Sequence, residues 1–473
     1  MVTRGASGPG AQASGLRAQV SGLRLATVIA LTLVFPSVGP AQTRITLEQA
    51  GPVLRALEAS LPAPLRNRTA EQLAALWPSW VETHDRDVRA RLARGDEDSV
   101  VNFWLYGTSF TSAPPAIARG ALIPPAALEA LAQRRLDDLL ERLAAPGDNE
   151  RLRFARQVLA ARDAEASTAA GRARARRVLA DARQRMIREF AAADRALAGA
   201  LAGDAGARTG TSATVFRERG LSSDTSVLSD YGVRVALEAI HRQGTLAPGS
   251  VRHVAIIGPG LDFTNKTDGH DFYPQQTIQP FAVADALRRT GLAAADLRLT
   301  TFDISARVNA HLTNGAAGAG SAQEYVVTLP LDAGETWTNE LVAYWQRWGS
   351  EVGDEVPAAR PPASAGPVRV RAVRIRPDLV RSITPRDMNI VVDRLALPDA
   401  ERFDLVVATN VLLYYDVFEQ ALAVSNIAAM LRPGGVFVTN TAVFPTPPLQ
   451  ASASYLRVAH TTLQYDEMLW YRR

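Results

Sequence analysis

The segment FDLVVATNVLLYYD, residues 403–416, is the clearest indication of the fold in this sequence. Its first six residues are almost all apolar, which is typical of a strand buried on both faces of a parallel sheet. Asn410 places an amide directly after this strand, and Asp416 either faces a pocket or caps the helix predicted over residues 417–431. That helix ends at LRPGG, residues 431–435, which is a strong stop signal.

The same strand–helix pattern extends to both sides of this stretch. Residues 252–257 form an apolar run that ends in Gly258-Pro259-Gly260, and a second run ends at Asp303. Strands are predicted over residues 252–257, 297–302, 389–395, 403–408 and 435–440, and a further helix over residues 281–290. This alternation predicts an α/β fold, with a doubly wound, Rossmann-like sheet that is mainly parallel and covered by helices on both faces.

The N-terminal half has a different pattern. Apolar residues recur there at three and four positions, which predicts a mainly α-helical domain over residues 42–202. Residues 203–212, rich in Gly, Ala and Thr, predict a linker, and residues 213–473 form the α/β domain. Helices are predicted over residues 48–61, 69–76, 126–143 and 151–198, with a possible strand over residues 99–106. The length of 473 residues agrees with two or three domains.

Two insertions interrupt the α/β pattern, residues 261–280 and 314–385. The first is polar and aromatic and much longer than the usual loop of about 2 to 6 residues, so it is either functional or disordered. The second contains an aromatic segment, residues 337–348, which either packs in the core or forms a lid. Arginines alternate over residues 368–376, where we expect the solvated face of an edge strand or, alternatively, an anion-binding patch.

Residues 1–41 look like a targeting segment. Arginines precede an apolar stretch, residues 25–35, and small residues follow it before Gln42. About eleven apolar residues are too few to span a bilayer, which takes about 20, but they suit a signal peptide. We therefore predict an exported or periplasmic protein without a transmembrane span. A disordered leader on a cytoplasmic protein is the alternative.

The composition excludes several kinds of site. The chain has no cysteine, which excludes disulfides, thiolate nucleophiles and cysteine-based metal sites. Its 6 histidines show no HxxxH or HExxH spacing, so we expect no metal site. The net charge of +4 is mild, and basic residues are scattered among acidic ones, so we expect no nucleic-acid partner.

Candidate binding residues lie where the predicted strands end. In a doubly wound sheet the ligand binds beyond the carboxyl ends of the strands, at the point where the strand order reverses. Gly258 and Gly260 allow close approach of the backbone to a ligand, although they also fit an ordinary turn. Asp303 is suited to accept hydrogen bonds from both hydroxyls of a ribose, or to cap the helix after it.

Three pieces of the sequence together resemble a known family. Residues 403–406, 410–416 and 431–435 look like the fourth strand, helix and fifth strand of class I S-adenosylmethionine-dependent methyltransferases. Within that class they are most similar to the chemotaxis-receptor methyltransferases. Residues 214–218, TVFRE, resemble a further segment of that family but are one residue shorter. The resemblance covers the C-terminal half and implies S-adenosylmethionine as cofactor.

The resemblance also implies roles for individual residues. The implied cofactor contacts are Asp303 at the ribose, Asn389 and Ile390 near the adenine, Asn410 and Val411 after the fourth strand, and Arg217 at the carboxylate. Asp262 lies in the segment that replaces the family's acidic stretch after the first strand. We count it, with Gly258 and Gly260, among the candidate cofactor contacts.

The sequence identifies neither the acceptor nor a base. Methyl transfer needs mainly orientation and desolvation, and a base only where the acceptor must lose a proton. Candidates in the long first loop are Lys266, His270, Asp271 and Tyr273, in addition to Asp262. Lys266 stands out as the only lysine in the chain.

Three hypotheses follow for the function. The first is a methyltransferase that acts on an unknown small molecule or protein, with no oligomeric state implied. The second is a non-catalytic, exported module that binds a nucleoside or a protein on the same fold. The third, a nicotinamide-dependent oxidoreductase, is disfavoured because the third glycine is missing. In addition, Asp303 follows Gly260 by 43 residues, against about 20 in that fingerprint.

Overall fold

The computed structural model describes most of the chain after the leader. The described ranges are residues 40–116, 124–201, 220–225, 227–263, 270–319, 324–330, 337–366, 368–444, 446–451, 455–462 and 464–473. The predicted linker, residues 203–212, and residues 1–39 of the predicted leader lie outside them. Within the described ranges, no helix combines the length and the apolar character needed to cross a membrane.

Thirteen strands and eleven α-helices are described. The strands are β1 Gln42–Arg44, β2 Val251–Ile257, β3 Ala293–Asp303, β4 Val326–Pro330, β5 Gly353–Val356, β6 Val370–Ile375, β7 Ile383–Asp387, β8 Asp393–Leu395, β9 Phe403–Ala408, β10 Leu431–Thr439, β11 Gln450–Ala451, β12 Leu456–Ala459 and β13 Tyr465–Arg472. The helices are α1 Leu47–Ala56, α2 Ala70–Tyr106, α3 Pro125–Ala144, α4 Glu150–Ala160, α5 Ala169–Leu201, α6 Val227–Arg242, α7 Gln279–Arg289, α8 Ala306–Gly318, α9 Asn339–Arg347, α10 Pro377–Arg381 and α11 Val417–Met430.

The main sheet has eight strands in the order β11-β13-β10-β9-β2-β3-β7, with β12 paired to β13. The five strands from β10 to β7 are parallel, whereas β13 is antiparallel to β10. Numbered along the chain, the parallel strands follow the order 3-2-1-4-5 of a doubly wound sheet. This order reverses between β2 and β9, which is where a ligand crevice is expected.

Alternate residues of the central strands enter two different hydrophobic cores, because side chains of a strand point to opposite faces. Val254 and Ile256 of β2 pack with helices α6, α7 and α8. Ala255 and Ile257 pack on the other face with α1 and α11. Burial on both faces explains the continuous apolar runs in these strands. The predicted α/β sheet covered by helices on both faces is therefore confirmed.

Only the last three residues of the strand predicted over residues 389–395 form a strand, β8, and this strand lies outside the main sheet. The third parallel strand is β7, which begins inside the predicted second insertion and contains Pro385. Since β7 lies at the edge of the sheet, a proline and charged residues are tolerated there, and no apolar run marks it. Asn389 begins a buried turn instead, and β8 pairs with β1.

The second predicted insertion, residues 314–385, contains a separate antiparallel sheet of three strands in the order β4-β6-β5. Two of the alternating arginines, Arg371 and Arg374, lie on β6, the central strand, so the prediction of an edge strand is wrong. Arg371 pairs with Glu355 on the neighbouring β5 at 2.9 Å. The aromatic segment, residues 337–348, includes α9 and packs in the core, as the first of its two alternatives predicted.

The helical part of the chain packs directly on the sheet. The possible strand over residues 99–106 is wrong, because these residues belong to α2, a helix of 37 residues. The helix predicted over residues 151–198 divides into α4 and α5, and Asp163 between them is left-handed with a φ of 54°. Trp77 of α2 lies in the same core as α1, α11 and the sheet. Helix α1 and the first part of α2 thus share a core with the α/β part, whereas the rest of α2 and helices α3, α4 and α5 form a core of their own that includes Phe263.

Candidate functional site

A cavity of about 380 Å³ lies at the carboxyl edge of the main sheet. Its wall includes residues that follow β2 and β9, between which the strand order reverses, and residues at the ends of β3 and β7. Six of the predicted cofactor contacts line it: Gly258, Gly260, Asp303, Ile390, Asn410 and Val411. They follow four different strands and meet only in the folded chain.

Gly258 and Gly260 shape the part of the wall that follows β2. Both have a left-handed backbone, with φ values of 66° and 62°, which favours glycine. A Cβ atom at Gly258 would lie 2.5 Å from Cγ2 of Val411, and one at Gly260 would lie 2.9 Å from the carbonyl oxygen of Ser223. Glycine is therefore required here both for the backbone conformation and for the close approach of two neighbouring segments.

Asp303 ends β3 and is 8% exposed at the cavity wall. Its carboxyl group accepts a hydrogen bond of 2.7 Å from the backbone N–H of Ser305 and another from the backbone N–H of Gly260. Burial raises the pKa of Asp303 to about 7, although these hydrogen bonds and the nearby Arg307 act to lower it. As a carboxylate, Asp303 is able to accept hydrogen bonds from hydroxyl groups of a ligand.

Asn410 is held in a left-handed conformation at the end of β9. Its φ is 59°, a region that asparagine adopts more readily than most other residues with a side chain. Its backbone N–H donates to Oδ1 of Asn440 at 2.9 Å, and Nδ2 of Asn440 donates to Oδ1 of Asn410 at 2.8 Å. Residues fixed in such conformations are frequent at functional sites.

Two predicted cofactor contacts lie elsewhere. The side chain of Asn389 is fully buried and donates a hydrogen bond of 3.0 Å to Asp85. Asp262 accepts hydrogen bonds from the hydroxyl of Tyr273 at 2.8 Å and from the amide of Gln276 at 3.0 Å, and burial raises its pKa. In the described part of the chain the cavity wall includes neither side chain.

The base candidates of the first loop make structural contacts. Asp271 accepts hydrogen bonds from the backbone N–H and hydroxyl groups of Thr108 and Ser109. Burial raises the pKa of Tyr273 well above its usual range, and His270 is 4% exposed. As far as the described residues extend, Asp271, Tyr273 and His270 do not line the cavity.

One arginine of the helical part holds this loop in place. Arg151 of α4 is 3% exposed and donates to the backbone carbonyl groups of Asp262, Phe263 and Tyr273. Phe263 packs into the core formed by α2, α3, α4 and α5. The first predicted insertion, residues 261–280, therefore connects the helical part of the chain to the sheet.

A polar segment next to the cavity is not among the residues predicted from the sequence. Residues 221–225 contribute five successive residues to the wall. Asp224 among them accepts hydrogen bonds of 3.0 Å from the hydroxyl of Ser99. The signal in the sequence is the run SSDT, which closely follows the family-like segment that contains Arg217. Arg217 itself and Lys266 lie outside the described residues.

The helical part of the chain also reaches the cavity, although none of its residues is a predicted site residue. Leu92 of α2 and Phe190 of α5 line the wall, and Phe190 is 48% exposed. The cavity therefore lies between the edge of the sheet and two helices. Over the described residues there is no group of histidine and acidic side chains suited to hold a metal ion.

The comparisons with known proteins give only weak similarity. No protein-family profile matches the sequence, and no curated protein is significantly similar to it. Among solved structures, magnesium protoporphyrin IX methyltransferase from Synechocystis PCC 6803, with bound S-adenosylmethionine, is 11% identical. Its match covers 52% of this chain and 80% of that chain, with a TM-score of 0.26.

Two further solved structures are similar at the same level. The O-methyltransferase from Bacillus cereus in complex with S-adenosylhomocysteine is 11% identical, covers 59% of this chain and 90% of that chain, and has a TM-score of 0.24. Mitomycin 7-O-methyltransferase is 12% identical, covers 86% of this chain and 100% of that chain, and has a TM-score of 0.25. Because superpositions at this level do not establish a common fold, the fold of this chain is defined by its own strand order and directions.

Proposed function

We propose that the chain is an S-adenosylmethionine-dependent methyltransferase and that the cavity at the carboxyl edge of the main sheet binds the cofactor. The observation that carries the proposal is the meeting of Gly258, Gly260, Asp303 and Asn410 at the reversal of strand order. A volume of about 380 Å³ suits a small-molecule site. The closer resemblance to the chemotaxis-receptor methyltransferases stays a prediction.

The side of the cavity at β7 and β3 suits the adenosyl part of the cofactor. Met388 and Ile390, which follow β7, provide apolar surface for the adenine. Asp303, at the end of the neighbouring β3, would accept hydrogen bonds from the ribose hydroxyls. Its raised pKa supports this role, because a buried carboxylate without a ligand has too few donors to offset its burial.

The side of the cavity at β2 and β9 suits the charged amino-acid part. Asp224, Ser223 and Thr225 bring a carboxylate and polar groups to this part of the wall. Gln279 donates a hydrogen bond of 2.7 Å to Thr409, and both side chains belong to the wall. From β7 to β9 the sheet edge spans three strand spacings, roughly 14 Å, which suits an extended nucleoside joined to an amino acid.

The chain's own contribution to catalysis would be orientation and the exclusion of water. Bound S-adenosylmethionine would supply an activated methyl group on a positively charged sulfur, so neither a catalytic triad nor a metal ion is needed. The sheet edge would hold the ligand in one orientation, and Leu92 and Phe190 would shield it from solvent.

Isothermal titration with S-adenosylhomocysteine tests the proposal. We expect binding with one site per chain, and no binding of NAD, because the third glycine of a dinucleotide fingerprint is missing. Binding of NAD without binding of S-adenosylhomocysteine would instead identify an oxidoreductase. Transfer of a labelled methyl group from S-adenosylmethionine to a cell extract then distinguishes an enzyme from a non-catalytic binding module.

We also propose that the protein is exported and that its leader is removed before Gln42. The predicted signal peptide supports this location. Gln42 is the first residue of β1, which pairs with β8. Mass spectrometry of the mature N-terminus in the native host tests it, and a mature chain that still carries residues 1–41 would contradict it.

A further inference from the structure

A second cavity, of about 370 Å³, adjoins the first. Ser229 and Asn410 belong to the walls of both cavities. The remaining wall includes His460, Tyr465 and Asp466, from the connection between β12 and β13 and from the start of β13. The second cavity thus begins at the end of β9, on the side away from the proposed adenine position at β7.

We propose that this second cavity binds the methyl acceptor and that His460 is the base that takes the acceptor's proton. The inference rests on the proposed function of the first cavity. The strand order supports it, because β7, β3, β2 and β9 would hold adenine, ribose and the amino-acid part in that sequence. The reactive methyl group would then lie near Ser229 and Asn410, at the junction of the two cavities.

His460 has the surroundings of a base. It is 2% exposed, and neither ring nitrogen has a hydrogen-bond partner among the described residues. Nε2 lies 3.3 Å from a carboxylate oxygen of Asp466. The two groups are close enough for an ion pair, but their geometry is not that of a hydrogen bond. Asp466 would stabilise the positive charge that forms when Nδ1 takes a proton. Histidine is the side chain most often used as a general base.

The polar wall defines the class of acceptor. Imidazole, carboxylate, phenol and amide groups surround the cavity, so the acceptor is a hydroxyl or amino group on a polar small molecule. The oxygen or nitrogen of the acceptor forms the new bond to the methyl carbon. The carbon–sulfur bond breaks, its electron pair stays on sulfur as a neutral thioether, and the acceptor's proton goes to His460.

The position of the acceptor cavity is testable without knowing the acceptor. Sinefungin carries an ammonium group where S-adenosylmethionine carries its methylated sulfur, whereas S-adenosylhomocysteine has no charge there. We expect Asp466→Asn to lower the affinity for sinefungin by about fivefold, because the substitution removes a nearby negative charge. The affinity for S-adenosylhomocysteine should stay unchanged. Asp399→Asn, at an exposed site before β9, is the matched control and changes neither affinity.

The outcomes separate the two proposals. If S-adenosylhomocysteine does not bind the unaltered protein, the proposed function fails. If it binds, but the ratio of the two affinities is the same in Asp466→Asn and the unaltered protein, only the acceptor cavity is contradicted.

Turnover tests the role of His460 directly. With labelled S-adenosylmethionine and a panel of phenols, alcohols and amines, we expect His460→Gln to lower kcat by about 100-fold for any member that is methylated. The KM for S-adenosylmethionine and the affinity for S-adenosylhomocysteine stay unchanged. His253→Gln, on β2, is the control. Full turnover by His460→Gln would contradict the role of His460. If no member of the panel is methylated, the ratio of the affinities for sinefungin and S-adenosylhomocysteine decides whether the second cavity is the acceptor site.

Discussion

The segments that follow β2 and β9 leave the same edge of the same sheet and are both rich in polar and aromatic residues. The segment after β9 stays at the edge, where Asn410 and Val411 line the cavity. The segment after β2 begins the same way at Gly258 and Gly260, but from Leu261 onward it is tied to the helical part by Arg151. Both segments therefore contribute to the cavity wall, but only the segment after β2 also joins the sheet to the helical part of the fold.

The stability of the protein should depend strongly on the segment after β2, because Arg151 ties that segment to the helical part. Arg151→Met leaves three buried carbonyl groups without their donor, and we expect it to lower the free energy of unfolding by roughly 3 kcal/mol. Affinity of the folded variant for S-adenosylhomocysteine should stay within about twofold. Chemical denaturation and calorimetry measure the two quantities, with Arg156→Met, an exposed position on the same helix, as control. A large loss of affinity would place the loop in the site.

The next prediction concerns Gly258, which follows β2 and lies against Val411 of the segment after β9. Gly258→Ala adds a Cβ atom 2.5 Å from Val411 on a left-handed backbone, and we expect the affinity for S-adenosylhomocysteine to fall by about 30-fold. Gly291→Ala has the same kind of backbone, with a φ of 70°, but nothing within 4 Å of the new atom. Gly291→Ala should therefore lower the free energy of unfolding but leave the affinity for S-adenosylhomocysteine unchanged. Equal affinities of the two variants would show that the approach to Val411 is unimportant.

A smaller effect concerns the pH dependence of stability. Burial raises the pKa of Asp303 to about 7 in the folded protein, whereas an unfolded aspartate has a pKa of about 3.9. As the pH rises from about 4 to 7, ionisation of this carboxyl group therefore lowers the free energy of unfolding of the ligand-free protein. Below about pH 4 the group is protonated in both states and has no such effect.

Asp303→Asn removes this cost because it has no charge. We expect its Tm to exceed that of the unaltered protein by a few degrees, roughly 4 °C, at pH 8, and to match it at pH 4. Thermal scans at the two pH values measure the difference. A lower Tm for the variant at pH 8 would mean that Asp303 stabilises the free protein as an ion.

The smallest effect is expected at the segment after β9. Asn440→Ala removes both hydrogen bonds to Asn410, and we expect the affinity for S-adenosylhomocysteine to fall by about threefold. Asn440→Asp keeps the acceptor for the backbone N–H of Asn410, so its affinity for S-adenosylhomocysteine should fall less. Calorimetry distinguishes the two, and an unchanged affinity in Asn440→Ala would show that the pair does not position Asn410.

The sequence predicts the central strands well because burial leaves a direct trace in them. β2 and β9 are buried on both faces and appear as continuous apolar runs, whereas the edge strand β7 has polar residues and Pro385. Apolar residues also fill buried turns, so the run after Asn389 has the pattern of a longer strand although it begins with a turn and only residues 393–395 form β8.

Candidate site residues are harder to separate by sequence. Asp262 and Asp303 both lie after a parallel strand, and each is a plausible ligand contact on that basis. Only Asp303 lines the cavity, as far as the described residues show, because Arg151, 111 residues before Asp262, draws the other segment away. A contact between such distant positions leaves no local pattern. The same reason applies to His460, because Ser229 and Asn410, which line the same cavity, lie far from it in the sequence.

Whether the cavity binds the cofactor is tested by the affinity for S-adenosylhomocysteine of two matched variants, Asp303→Ala and Asp262→Ala. Binding at the cavity predicts that Asp303→Ala lowers the affinity at least about tenfold without unfolding the protein, while the folded Asp262→Ala variant keeps it within about twofold. If the two variants bind equally well, or if the loss occurs only in Asp262→Ala, the cavity at the ends of β2, β3, β7 and β9 is not the cofactor site.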